Sequence, residues 1–150
     1  MSKPLILTLD LIPRTSFFSN VRTVLSRAQW DFLRKQVYAA AYHTCQICGG
    51  VGSKHPVECH EVWEYKQGIQ TLTGMIALCS ACHRVKHFGL ARLRGKEAEA
   101  TKHFCRVNGI KPAQARLHIQ RAFQEWEQRS KREWTLDLTI LKTYGITEKT

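Results

Sequence analysis

Two hydrophobic periods, one of two residues and one near 3.6, divide the chain into elements. From residue 4 to residue 11, Leu5, Leu7, Leu9 and Leu11 take every second position, as in a strand with one apolar face. Pro13 ends that stretch, and residues 14–25 show no period, with Ser19-Asn20 reading as a turn. A helix is predicted from Ser26 to Ala41, where Trp30, Leu33, Val37 and Ala40 share a face and Ser26 with Gln29 makes a capping-box pair. Helical character is expected to resume near Cys82 and run to about Leu93. A second helix follows over 96–107, ended by Asn108-Gly109. A longer one opens with Pro112 in its first turn, where a missing N–H costs nothing, and carries Ala115, Ile119, Ala122, Phe123 and Trp126 as its apolar stripe. Residues 135–141 alternate again through Leu136, Leu138 and Ile140. This stretch looks like residues 7–11, so the first and last strands are expected to pair and close the domain.

Mixed periods of this kind predict an α+β fold, and 150 residues are enough for a single domain over 1–150. Hydrophobic residues are 43% of the chain, which excludes a disordered tail. The formal net charge of +11 favours a polyanionic partner, nucleic acid above an anionic membrane surface, because cations that meet phosphates release counterions. No stretch is long and apolar enough to span a bilayer. The leading apolar run lacks a cleavage signature, so a cytoplasmic, reducing location is expected, where cysteines serve metals more than disulfides.

Cysteine spacing then narrows the chemistry. Cys45-x2-Cys48 and Cys79-x2-Cys82 are two knuckles about thirty residues apart. A two-residue gap lets both thiolates of a knuckle reach one ion, and two knuckles complete a tetrahedron. Gly49 and Gly50 provide the tight turn after the first. Four soft sulfur ligands select zinc, in a closed site that stabilises the fold and leaves no position for substrate. Cys59 and Cys105 stand outside this set.

Histidines follow the same segments. Glu58-Cys59-His60-Glu61-Val62-Trp63 lies between the knuckles, and His83-Arg84-Val85-Lys86-His87 follows the second. Imidazoles four residues apart share a helix face, a spacing that can hold a metal ion. A zinc joining both knuckles would bring His60 near them, so composition and spacing support a second, hydrolysis-competent metal site.

The pattern Cys-x2-Cys, Glu-x-His-x-Val, Ala-Leu-Cys-x2-Cys-His-x3-His over residues 43–90 resembles the HNH endonucleases, which have a ββα-metal, treble-clef-like core. The resemblance implies a metal-dependent nuclease that hydrolyses phosphodiester bonds in DNA. It implies that His60, His83 and His87 bind a catalytic divalent ion (magnesium, manganese, nickel or zinc) and that Glu61 takes the water-activating position. A second register would make Cys59 a ligand and His60 the base. Residues 4–42 and 94–145 then flank the core as a strand with a helix and as helices with a strand.

The chain departs from the family pattern at Gly74, where an asparagine is expected, and at Glu61, where the base is usually histidine. A zinc module that binds nucleic acid or a protein without cleaving therefore stands as the alternative. Arg84, Lys86, Arg92, Arg94 and Lys96, beside the histidines, are the expected phosphate contacts. Trp63 and Tyr65 suit core packing better than base stacking, and the cations of the long helix, Arg129 among them, form either a second phosphate face or a solvated one. The oligomeric state is not legible in the sequence.

Overall fold

The computed structural model describes residues 4–17 and 19–147. Its centre is a hairpin of β1 (Glu58–Lys66) and β2 (Ile69–Leu78), antiparallel, with Glu58 opposite Leu78 and Lys66 opposite Ile69. Gln67 and Gly68 join the strands with φ of 52° and 79°, the positive values that let a two-residue turn follow the twist of its strands. The left-handed φ is what favours glycine at 68; a Cβ there would lie 2.6 Å from Arg132 Nη2, the end of a flexible side chain that can move aside. The register shifts between Val62 and Trp63, an irregularity that bends the edge strand beside the histidine.

Because strand side chains alternate, the hairpin divides the core in two. On one side Leu78 and Ile76 pack with Leu7, Val85, Phe88, Phe104 and Ile119. On the other, Ala77, Met75, Cys59 and Trp63 pack with Leu33, Val37 and Leu141. The first side is built by α3 (Ser80–Lys86), α4 (Phe88–Leu93), α5 (Glu97–Asn108) and α6 (Pro112–Arg129). The second is built by α1 (Val21–Val24), α2 (Arg27–Ala40) and a 3₁₀ segment at Thr139–Tyr144. A third strand, β3 (Thr135–Asp137), completes an α+β architecture with the sheet order β1-β2-β3. Among the described residues no helix is long and apolar enough to cross a membrane.

The caps and helix ends expected from the sequence are present in α2, α5 and α6. At the start of α2 the Gln29 N–H donates to Ser26 Oγ at 3.2 Å and the Ser26 N–H to Gln29 Oε1 at 3.0 Å. Pro112 opens α6, and α5 stops at Asn108 with Gly109 beyond it.

Three expectations need correction. The helix predicted from Cys82 to Leu93 begins at Ser80 and breaks at His87, whose ψ of 52° leaves helical space and separates α3 from α4. Residues 14–25 are not wholly irregular: Arg14–Ser16 is a 3₁₀ turn and Asn20 caps α1.

The terminal strand pair does not form. β3 joins β2 in parallel, Ile69 opposite Thr135, and ends where Asp137 Oδ1 accepts both the N–H and the hydroxyl of Thr139, at 3.0 and 2.6 Å. Residues 4–12 run instead as a strap over α3 and α5. The Ile6 and Leu7 N–H groups donate to Asn108 Oδ1 at 2.9 and 3.1 Å, Leu7 O accepts from Asn108 Nδ2 at 2.9 Å, and the Asp10 N–H donates to Lys86 O at 2.9 Å. Alternation of leucines reports which side of a segment is buried, and Leu7 is fully buried; it does not report where the backbone bonds go.

Candidate metal centre

The first knuckle lies in the loop before β1. Gln46 anchors it to the end of β2, its N–H donating to Ala77 O and its Oε1 accepting from the Ala77 N–H, at 2.9 and 2.8 Å. The second knuckle is the N-terminus of α3, where Cys79 Sγ accepts the Cys82 N–H at 3.4 Å. Hairpin and helix thereby bring the sulfurs of Cys45, Cys48, Cys79 and Cys82 within 4.8 Å of one another. Cys48 and Cys79 sulfurs stand 3.6 Å apart, against the roughly 3.8 Å expected for thiolates tetrahedrally bound at zinc–sulfur lengths.

The thiolates are supported by donors. Cys48 N–H points at Cys45 Sγ at 3.5 Å and Gly50 N–H at Cys48 Sγ at 3.4 Å. Burial opposes ionisation of Cys45, but backbone donors prevail and bring it down to about 7. Burial pushes Cys79 up against the opposing Cys82 N–H, and burial with the charges of Cys45 and Cys79 pushes Cys82 up. Four cysteine sulfurs so close could hold a metal ion, and the donor set fits zinc. His103 on α5 was not foreseen. Arg106 Nη2 donates to its Nδ1 at 2.9 Å, which leaves the ring proton on Nε2, 3.2 Å from Cys82 Sγ.

Beside this cluster lies the histidine group. His60 projects from β1 on the side of the sheet covered by α3; His83 lies on α3 and His87 just beyond its end, where the His87 N–H donates to His83 O at 3.1 Å. One ring nitrogen from each lies within 4.8 Å of the others, and the ring centroids are 4.7–5.3 Å apart. Two of the rings have carboxylate partners. His83 Nδ1 is 2.8 Å from Glu58 Oε2, and His60 Nε2 is 2.9 Å from Asp10 Oδ2. The other nitrogen of His60, Nδ1, is buried without a hydrogen-bond partner. A stranded buried acceptor costs about 1–3 kcal/mol, and a bound ion is one remedy.

Burial dominates the electrostatics. It lowers His60, against the opposing pull of Asp10, and lowers His87 to about 3, helped by the charges of His83 and His60. Both rings are therefore neutral at physiological pH, the form that ligates metals. Asp10 loses some solvation, but His60 and Lys86 together hold its carboxyl below the usual range.

These rings open into a cleft of about 760 Å³ whose wall includes Asp10, His60, Glu61, His83, His87, Arg22 and Arg129. Glu61 alternates to the far side of β1, where its Oε1 accepts the Val21 N–H at 3.0 Å. Burial raises its carboxyl above the usual value, and the backbone donor opposes the shift. Cys59 lies on that same far side against Trp63, and burial pushes its thiol up to about 12. Gly74, opposite Val62, has nothing within 4 Å of where a Cβ would stand.

The foreseen cations are mostly engaged elsewhere. Arg84 meets Glu99 at 3.0 Å, Arg92 meets Glu97 at 2.9 Å, Lys96 meets Glu99 at 3.5 Å, and buried Lys86 meets Asp10 at 3.1 Å. Arg94 is exposed and joins no ion pair among the described residues. The cations lining the cleft are Arg22, 5.8 Å over Trp30, and Arg129, 4.6 Å over Tyr65 and 3.8 Å from Glu125 in a longer ion pair. Asp10, Arg22 and His103 were missed because no local spacing links them to the knuckles. Compared with known proteins, the chain matches no family model, no curated protein and no solved structure.

Proposed function

We propose that the chain is an HNH-type, metal-dependent endonuclease of DNA, with a treble-clef-like core that zinc staples through Cys45, Cys48, Cys79 and Cys82. His60, His83 and His87 would hold a second divalent ion. The observation that carries this reading is the convergence of three largely buried imidazoles, drawn from a strand and a helix, on one open cleft. Two of them are backed by carboxylates, as metal-ligating histidines usually are.

A divalent ion at this centre supplies Lewis-acid stabilisation to a phosphate oxygen and its leaving group. The chain's own groups do the rest. Glu58 and Asp10 orient imidazoles, and burial keeps His60 and His87 neutral. Glu61 lines the same cleft from the other side of β1 and would take the proton of the attacking water from there; burial raises its carboxyl and makes it a stronger base than an ordinary glutamate. The placement of Cys59 across the sheet favours His60 as ligand over the register with Cys59 as ligand. Arg22 and Arg129, on the cleft wall, contact flanking phosphates.

One observation favours the second reading, a non-cleaving zinc module. No side chain occupies the space beside Gly74, so the orienting amide of the family has no counterpart there. A plasmid-nicking assay with magnesium, manganese, nickel or zinc separates the two. The nuclease reading expects cleavage abolished by both Glu61→Gln and His83→Ala. Binding without cleavage under every ion would leave the module reading, and a chain that retains only one ion would remove the catalytic centre.

A further inference from the structure

We propose that Asp10, delivered by the N-terminal strap, is the positioning carboxylate of the histidine centre: it holds His60 as the Nε2–H tautomer and so presents the Nδ1 lone pair to the ion. The inference rests on reading the three histidines as a metal site. It concerns a residue outside the segment 43–90 that carries the family resemblance.

The strap places this carboxylate by several independent contacts. Asn108 holds Ile6 and Leu7, the Asp10 N–H donates to Lys86 O, and Trp126 Nε1 donates to Ile12 O at 2.8 Å. Between these pins Asp10 reaches β1 and α3 at once. Its Oδ1 accepts the Thr8 hydroxyl at 3.1 Å, while its Oδ2 lies 2.9 Å from His60 Nε2 and 3.1 Å from Lys86 Nζ. Oδ2 already holds two donors, and Asp10 stands outside the group of ligand atoms that lie within 4.8 Å of one another, so it serves as a partner of the imidazole and the three rings serve the ion.

The proton position follows from the donor inventory. A carboxylate beside a buried ammonium only accepts, so the hydrogen it shares with His60 is on Nε2. The Nδ1 lone pair is then free, and Nδ1 is the ring nitrogen that is buried with no partner. Glu58 acts in the same way on His83 from the other ring position, bonding Nδ1 at 2.8 Å and leaving Nε2 free. Two carboxylates from separate segments therefore orient two ligands through opposite nitrogens. A fixed tautomer and a fixed ring remove the reorganisation that ion binding would otherwise require.

The test uses the full chain with zinc already in the thiolate site and titrates further zinc by competition with a chromophoric chelator. His83→Ala marks the signal of the second ion by losing it. Asp10→Asn keeps size and hydrogen bonding but can donate or accept, so it no longer dictates the tautomer. The expected result is second-ion affinity weakened by about 10–100-fold in Asp10→Asn with the thiolate zinc retained. Long-range proton–nitrogen NMR of the wild-type chain supplies a readout that no variant's folding can spoil. It should find His60 protonated at Nε2 before the second ion is added and zinc-bound at Nδ1 after. Equal affinities in wild type and Asp10→Asn, or a His60 proton on Nδ1, overturn the proposal while the metal centre stands. A wild-type chain that takes up one ion only overturns the centre, and the proposal with it.

Discussion

Replacing Asn108 by alanine should release the N-terminal strap, and the structure sets the size of the effect. The Asn108 amide accepts from Ile6 and Leu7 N–H and donates to Leu7 O, three bonds to the strap at 2.9–3.1 Å, with a fourth to Phe104 O in its own helix. A typical intramolecular hydrogen bond contributes a net ~0.5–1.5 kcal/mol, so three are worth about 1.5–4.5 kcal/mol. Alanine recovers up to roughly 0.7 kcal/mol of helix propensity at the end of α5. The balance is a loss of about 1–4 kcal/mol, weighted upward because Leu7 is fully buried and its N–H and C=O would be stranded. Urea denaturation at fixed zinc should show the midpoint falling with the slope unchanged. Amide exchange should report lost protection at Leu7 and Asp10. Asn108→Asp keeps the acceptor for both N–H groups and should lose less. A shift under about 0.5 kcal/mol with Leu7 still protected would refute the reasoning and leave apolar burial of Leu7 as the strap's real anchor.

Three further outcomes are expected. Removing zinc with a strong chelator, or Cys45→Ser, should abolish cooperative folding, because structural zinc sites bind with roughly 10–16 kcal/mol against a stability of about 5–15; a sharp thermal transition in the metal-free chain, followed by circular dichroism, would contradict this. Glu61→Gln should lose cleavage yet match or exceed wild-type stability at pH 7, since the amide can still accept the Val21 N–H and removes a buried charge. Burial raises the folded carboxyl above its 4.5 reference, so the folded chain takes up the proton first as pH falls. The penalty is full above the raised value and vanishes below the reference, so the variant's advantage should shrink between pH 7 and pH 4 in urea denaturation and should not grow. Arg22→Ala and Arg129→Ala should each lower the slope of log binding constant against log salt by about 0.9 on duplex DNA. Arg84→Ala and Arg92→Ala, whose guanidiniums lie off the cleft and meet Glu99 and Glu97 at 3.0 and 2.9 Å, against 3.8 Å between Arg129 and Glu125, should change the slope less; the reverse ranking, in fluorescence anisotropy, would move the nucleic-acid face off the cleft.

Features written in short-range spacing were legible in the amino-acid order. The knuckles were, because two thiolates three residues apart can reach one ion; so were the Ser26–Gln29 cap, the start at Pro112 and the approach of His83 to His87. Each depends on backbone geometry within one turn, which neighbours along the chain dictate. What only tertiary packing decided lies in contacts between distant residues. Asp10 meets His60 across fifty positions and His103 meets Cys82 across twenty-one. The alternating leucines of residues 5–11 told which side is buried, but their N–H groups had equally good partners in a strand or in Asn108. The cations beside the histidines looked available for phosphate until α5 packed on α3 and brought Glu99 to Arg84, while the strap brought Asp10 to Lys86. Charge and pattern constrain what a side chain can bond; which bond forms depends on the fold that sets its neighbours in place.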